Sequence, residues 1–326
     1  MAKTAATAKV QKVHDPLSRT GFERFWIEFG KNWQLHLMIF LPFLYMIIFH
    51  YVPMVGLQIA FRNFTPKASI DHSEWMGIGN FVNFFTKDPR ALDYILNTLY
   101  LSLYTIFAGF PIPIVLALII HVNTNKALKK VAQNVSYVPH FISVVIMIGI
   151  LNAVLDPYSG MLGSISRYLN LGYLPAVMAD EGAFRHVYVW SGVWQSMGWS
   201  SIIYVSALSA VPDDLHEAAK LDGASRIRRV WSIDLPTILP TIAIMLIMRF
   251  GSIMSVGYQK AYLMQNSGNL RVSEIISTYV YKKGLKGMDF GFSSAVGLMN
   301  SVVNTSMVVL VNWITNLLTD NEMGLF

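Results

Sequence analysis

An all-α polytopic membrane protein with six transmembrane helices is the fold class that the sequence predicts, and three observations carry it. Of 326 residues, 54% are hydrophobic and only 13% are charged, a balance outside the soluble globular range. Six stretches reach the roughly 20 apolar residues needed to cross a hydrocarbon layer about 30 Å thick. The basic residues behind the net charge of +6 sit beside those stretches rather than in a stripe interleaved with aromatics. They read as juxtamembrane anchors in contact with lipid, and no nucleic-acid partner is expected.

Residues 1–33 form a polar arm ending in "FERFWIEFGKNW". The run that follows is too long for a signal-peptide core, so the arm is expected to be retained. Residues 34–91 hold the first span, about Leu35 to Val55, and an outer loop. Residues 92–318 hold the other five, about Ile95 to Val122, Val135 to Leu155, Val187 to Val211, Thr237 to Tyr258 and Phe292 to Leu318. A short tail, 319–326, closes the chain.

Gly109, Pro111 and Pro113 at the centre of the second span predict a kink. The fourth, "VYVWSGVWQSMGWSSIIYVSALSAV", is poor in Leu and rich in Gly, Ser and Trp. Small residues let helices approach closely and polar ones need protein or water beside them, so this span is expected in the bundle interior. The connection "NTNKALKK" holds Lys126, Lys129 and Lys130 with no acid, which places it in the cytoplasm. Both termini and the polar block at 211–236 then fall on that side. No internal repeat is visible, and the chain reads as one half of an assembly.

The block "HEAAKLDGASRIRRVWSIDLP", His216 to Pro236, is the chief interruption of the apolar pattern. Pro212 suits a first helical turn, Asp213 and Asp214 complement the helix dipole there, and Gly223 suits a left-handed helix end. A helix from Val211 to Asp222 is expected. A second, from Ala224 and carrying Arg226, Arg228 and Arg229, should end where Leu235-Pro236 marks entry to the fifth span. Ala218 and Ala219 offer a smooth surface, with Glu217 and Lys220 beside it to fix the register of a docked partner. The same block also fits an amphipathic loop that caps the bundle and binds lipid headgroups.

"EAAKLDGASRIRRVWSIDLP" resembles the EAA motif of type I ABC importer permeases. Glu217, Ala218, Ala219, Asp222, Gly223, Ala224, Ile233, Leu235 and Pro236 match it, while Val230 stands where the family often has Phe, with Trp231 next to it. "WMGIGNF", "YVPHFIS" and "AVGLMNSVVNTSMVVLVNWI" are similar to the sugar and oligosaccharide branch of these permeases. The resemblance makes residues 92–318 an ABC type-1 transmembrane domain in the bacterial inner membrane. It implies a coupling helix seated on a cytoplasmic ATPase dimer through Glu217, with Gly223 as the turn behind it. A second, non-identical permease, a periplasmic solute-binding protein, and an oligosaccharide substrate such as the acidic polysaccharide alginate are implied with it. No G-x-x-x-x-G-K-[ST] loop occurs in the chain, so ATP and magnesium belong to the partner ATPase and no catalytic residue is expected here.

Arg249 lies in the fifth span, and an intramembrane charge is a functional candidate by default. It either faces the pathway and attracts an acidic sugar, or lies near the outer end and snorkels to headgroups or pairs with a carboxylate of the second permease. Trp190, Trp194 and Trp199 with Gln195 offer flat apolar faces and an amide suited to sugar rings, or serve as packing anchors. Asn152, Asn300 and Asn304 must be satisfied inside the bundle, interhelical hydrogen bonds being the default. The loop Gln259 to Gly291 carries Lys260, Arg271, Lys282, Lys283 and Lys286 against Glu274 and Asp289; it reads as a basic outer surface for a solute-binding protein. A permease for a neutral oligosaccharide stays open. A polytopic enzyme acting on lipid-linked sugars would need convergent acids or a metal cluster, and with no H-E-x-x-H no metal site is expected. A secondary transporter would commonly show repeats and more mid-membrane charges.

Overall fold

The computed structural model describes residues 29–67, 69–319 and 324–325. Most of the expected N-terminal arm, residues 1–28, lies outside them. The chain divides into two compact units, Met1–Leu57 and Gln58–Phe326. Apart from one isolated bridge between Arg62 and Trp75, the regular structure among the described residues is helical.

In the first unit, α1 (Trp33–Met46) buries none of its residues and carries Pro42 in its interior. A helix this apolar all round belongs in lipid or against another protein. The helical run continues through a π-turn, Ile47–Tyr51, and a 3-10 segment, Val52–Phe61.

The second unit contains α2 (Gly79–Lys87), α3 (Ala91–Gly109), α4 (Pro111–Val122), α5 (Lys126–Tyr137), α6 (Val144–Leu155), α7 (Met161–Tyr168) and α8 (Glu181–Leu208). After these come α9 (Asp213–Leu221), α10 (Arg226–Arg229), α11 (Leu235–Phe250), α12 (Tyr258–Met264), α13 (Leu270–Ser273), α14 (Ile276–Val280) and α15 (Phe290–Leu318). The central element is α8, packed against α3, α4, α5, α11 and α13. It buries Phe184, Tyr188, Val193, Ser201, Tyr204 and Leu208 along its length. Its small residues are required by that position: a Cβ on Gly198 would collide with the Ser136 carbonyl.

Among the described residues, four helices are long and apolar enough to cross a membrane: Trp33–Phe61, Ala91–Val122, Arg226–Phe250 and Phe290–Leu317. Six continuous spans were expected, and the two remaining differ for separate reasons. The third is broken, because Lys126–Phe141 and Val144–Leu155 meet at 100°. Pro139 and the cap at Ser143, whose hydroxyl accepts from the Ile146 amide at 3.3 Å, end one helix and start another. The fourth, α8, has 28 residues, but Gly, Ser, Gln and Trp dilute its apolar character. The second span is interrupted at Phe110, where its prolines begin, yet Phe110 keeps helical angles and the rod runs on to Val122.

The polar block departs from expectation in one respect. The helix after Gly223 is not separate from the fifth span. Ser225 caps α10, a π-turn at Val230–Asp234 follows, and helical angles persist through Leu235 into α11. The widened turn lies just ahead of Pro236 and accommodates its missing N–H. The span then stops at Phe250 rather than Tyr258.

The expected basic outer loop is a folded layer. Glu274, 6% exposed, pairs with Lys282 at 2.8 Å and Arg90 at 3.2 Å. Asn97 donates to the Arg271 and Glu274 carbonyls, and the Ile276 amide donates to the Thr98 hydroxyl at 3.0 Å. These bonds tie the layer to α3. Its charges are therefore partly consumed by packing rather than left as a free surface.

Candidate functional site

Two places combine exposure or a cavity with directed chemistry. The first is the turn between α9 and α10. Gly223 has φ +75°, the left-handed conformation that costs glycine least. Its amide donates to the Lys220 carbonyl at 3.0 Å and the Ala224 amide to the Ala219 carbonyl at 2.9 Å, the paired bonds of a Schellman ending. Asp213 and Asp214 lie in the first turn of α9 and Pro212 immediately precedes it. Glu217, Ala218 and Asp222 are exposed and Ala219 is half-buried. Leu221 is 89% exposed, Ile227 72% and Trp231 66%. Apolar side chains left so open beside an acid mark a surface that a partner or lipid covers.

The second place is a cavity of about 180 Å³ lined by residues of α3, α8, α11 and α12, among them Gln195, Arg249 and Lys260. Arg249 sits in the last turn of α11, where a cation also complements the helix dipole. Lys260, on α12 and outside the membrane-length helices, is 9% exposed. Its Nζ donates to the Tyr188 carbonyl at 2.6 Å and lies 4.5 Å from the Tyr188 ring centroid. Gly192 leaves it room, since a Cβ there would meet Nζ at 3.0 Å. Burial pulls the Lys260 amine down from its ordinary 10.5 to about 7. Neither Lys260 nor Arg249 belongs to an ion pair among the described residues, and no carboxylate lines the cavity. When Lys260 is protonated, it and the exposed Arg249 face one space without a carboxylate partner and form an anion-attracting site.

Of the residues expected near a pathway, the cavity gathers Gln195 and Arg249 only. The Gln195 amide donates to the Ile142 carbonyl at 2.6 Å, filling a backbone acceptor left open by the broken span. Trp194 is exposed, Trp190 donates to the Tyr104 hydroxyl, and Trp199 stacks on His140 at 4.5 Å. Asn304 accepts from the Met254 amide and donates to the Ser255 hydroxyl, joining α15 to the turn segment that follows the fifth span. Asn300 keeps a buried Oδ1 without a partner, and Asn152 is exposed on α6. Lys260 was placed by sequence on an outer surface. Only its contact with α8, far away in the chain, reveals the cavity.

Membrane-length helices, a projecting polar turn and a cavity between helices describe a polytopic membrane protein. A family model described as the binding-protein-dependent transport system inner membrane component matches residues 95–319, and the chain belongs to that family, as a permease of the ABC sugar importer type. The polygalacturonan/rhamnogalacturonan transport system permease protein YteP of Bacillus subtilis (strain 168) is 38% identical over 278 residues, covering 85% of this chain and 86% of that protein. Protein LplB of the same organism is 36% identical over 292 residues, covering 90% and 91%. A chain of a bacterial ABC transporter involved in the import of the acidic polysaccharide alginate superposes with a TM-score of 0.81 at 34% identity, covering 90% of this chain and 98% of that one. A second structure of an alginate ABC transporter, in complex with an alginate pentasaccharide-bound periplasmic protein, gives 0.82 at 33%, covering 93% and 100%.

Proposed function

We propose that this chain forms one half of the translocation pathway of an ATP-driven importer and that its substrate is an acidic oligosaccharide of the alginate or polygalacturonan kind. The observation that carries the substrate class is the cavity holding Arg249 and Lys260 with no carboxylate on its wall. Polygalacturonan and alginate are both polymers of uronic acids, so each sugar unit presents a carboxylate, and a buried Lys260 beside an exposed Arg249 favours it over a neutral sugar. Gln195 and Arg249 contribute polar contacts directly; Trp194, Asn152, Asn300 and Asn304 shape the surrounding bundle. At about 180 Å³ the cavity is smaller than the roughly 300–1,000 Å³ of a complete ligand site. A second, different permease that supplies the opposite wall accounts for the difference.

In this reading the α9–α10 turn is cytoplasmic, as are both termini. Glu217 pairs with a basic group of the ATPase, Ala218 and Ala219 allow close approach, and Gly223 with Asp222 holds the turn. Because the helical run from α10 continues through the π-turn into α11, a push on the turn is delivered along the fifth span to its last turn, which carries Arg249. ATP and magnesium are held by the ATPase dimer, and a periplasmic binding protein delivers the sugar.

The test is ATPase stimulation in a reconstituted complex with its binding protein, comparing uronic with neutral oligosaccharides of equal length. Stimulation by uronic oligosaccharides alone supports the proposal. Equal or greater stimulation by the neutral series overturns the substrate class and leaves the family assignment standing.

A further inference from the structure

Beside the α9–α10 turn lies a cluster that the proposed function leaves unused. His121 ends α4, His216 is on α9 beside Glu217, and Asp234 closes the π-turn ahead of α11. Asp234 is 1% exposed. Its Oδ1 is 3.0 Å from Nε2 of His216 and 3.6 Å from Nε2 of His121. These are not made hydrogen bonds: both Asp234 oxygens and the His216 Nε2 are buried with no hydrogen-bond partner. A buried carboxylate left in that state is costly unless something else neutralises it.

The geometry points to a divalent transition-metal site of the zinc type, with Nε2 of His121, Nε2 of His216 and a carboxylate oxygen of Asp234 as ligands. All three donor atoms lie within 4.8 Å of one another. Donors bound tetrahedrally at about 2.0–2.1 Å sit about 3.4 Å apart, and the two measured separations to Asp234 bracket that value. Two imidazoles and one carboxylate suit zinc and its first-row neighbours and leave a fourth position for water. That position has access, because the cluster lines an open cavity of about 540 Å³. Lys126, Lys129, Lys220, Arg226 and Arg229 line the same cavity. Their charges oppose a cation, and the Asp234 carboxylate offsets part of that by reducing a divalent ion on two neutral imidazoles to a single net positive charge. A bound ion would fasten the end of the second span, the coupling helix and the start of the fifth span to one point. It would thereby set how freely the coupling helix moves against the bundle.

The experiment uses the assembled transporter, stripped with chelator, recovered by gel filtration and loaded with ZnCl₂, with bound metal counted by mass spectrometry. One zinc per copy of this chain is expected, falling at least tenfold in Asp234→Asn and in His121→Gln but not in the control His72→Gln. In the unmodified complex, zinc should protect His121 and His216 from carbethoxylation, a readout independent of any variant's folding. The proposal is overturned if no stoichiometric zinc is retained, if zinc is retained equally by the variants, or if neither histidine is protected. In any of those cases the cluster is an ordinary charged contact.

Discussion

Between Pro212 and Arg229 the backbone is shaped by neighbours: the Gly223 and Ala224 amides reach back three and five residues, and the Ser225 hydroxyl caps the Arg228 amide. The cavity around Lys260 is assembled from distance, with the Lys260 amine held by the carbonyl of Tyr188, 72 residues away. The first region projects exposed Glu217 and Leu221, while the second withdraws the Lys260 amine from water beside an exposed Arg249. The contrast separates two jobs: a projecting turn needs a fixed shape and a readable surface, whereas a recognition cavity needs charge whose strength comes from desolvation. Different perturbations should therefore break them in different ways.

The largest effect is expected at the projecting turn. Glu217→Arg should leave the protein inserted but abolish uptake and reduce co-purification of the ATPase. Normal uptake with normal complex recovery would remove the coupling role. In the cavity, replacing Arg249 and Lys260 together by Gln should lower uptake of a uronic oligosaccharide at least tenfold, about 1.4 kcal/mol of lost recognition. Complex assembly should be intact, and sizing chromatography beside uptake separates the two regions cleanly.

A smaller, titratable effect sharpens the cavity further. Lys260 is protonated below about 7 and neutral above it, so uptake of an acidic sugar should decline several-fold as pH rises through 7. Arg249 sets the residual rate. Lys260→Gln should flatten the profile over that interval. For stability the sign is the reverse: the unfolded chain holds this proton up to about 10.5 while the folded one releases it near 7, so this group adds stability as pH rises between those values.

The smallest effect returns to the turn. Gly223→Ala places a side chain at φ +75° and should cost about 1 kcal/mol, read as faster protease cleavage at Arg226 to Arg229 in membrane vesicles. Unchanged cleavage would mean that docking, not local chemistry, holds the turn.

The first half of the α9–α10 turn was legible residue by residue, because its signals act within a few positions, acids in the first turn and a glycine at the end, while the Ser225 cap of the second half was not read from the sequence. The break in the third span had a local signal too, in Pro139 and Ser143, and the composition of the run concealed it. Asn304 was expected to bond between helices, and its partners at Met254 and Ser255 became visible only once the fifth span was seen to stop at Phe250. Lys260 and the triad of His121, His216 and Asp234 had no local signal at all, since each residue's neighbours in the chain are silent about what packs against it.

By itself, then, the amino-acid order determined that the chain lives in a membrane, where its polar turn falls and how that turn is built, because hydropathy, capping and backbone preference are short-range properties. Tertiary structure alone decided which charges are buried, which are paired and which face a cavity. Desolvation and pairing are set by what arrives from elsewhere in the chain, and no window of sequence contains it.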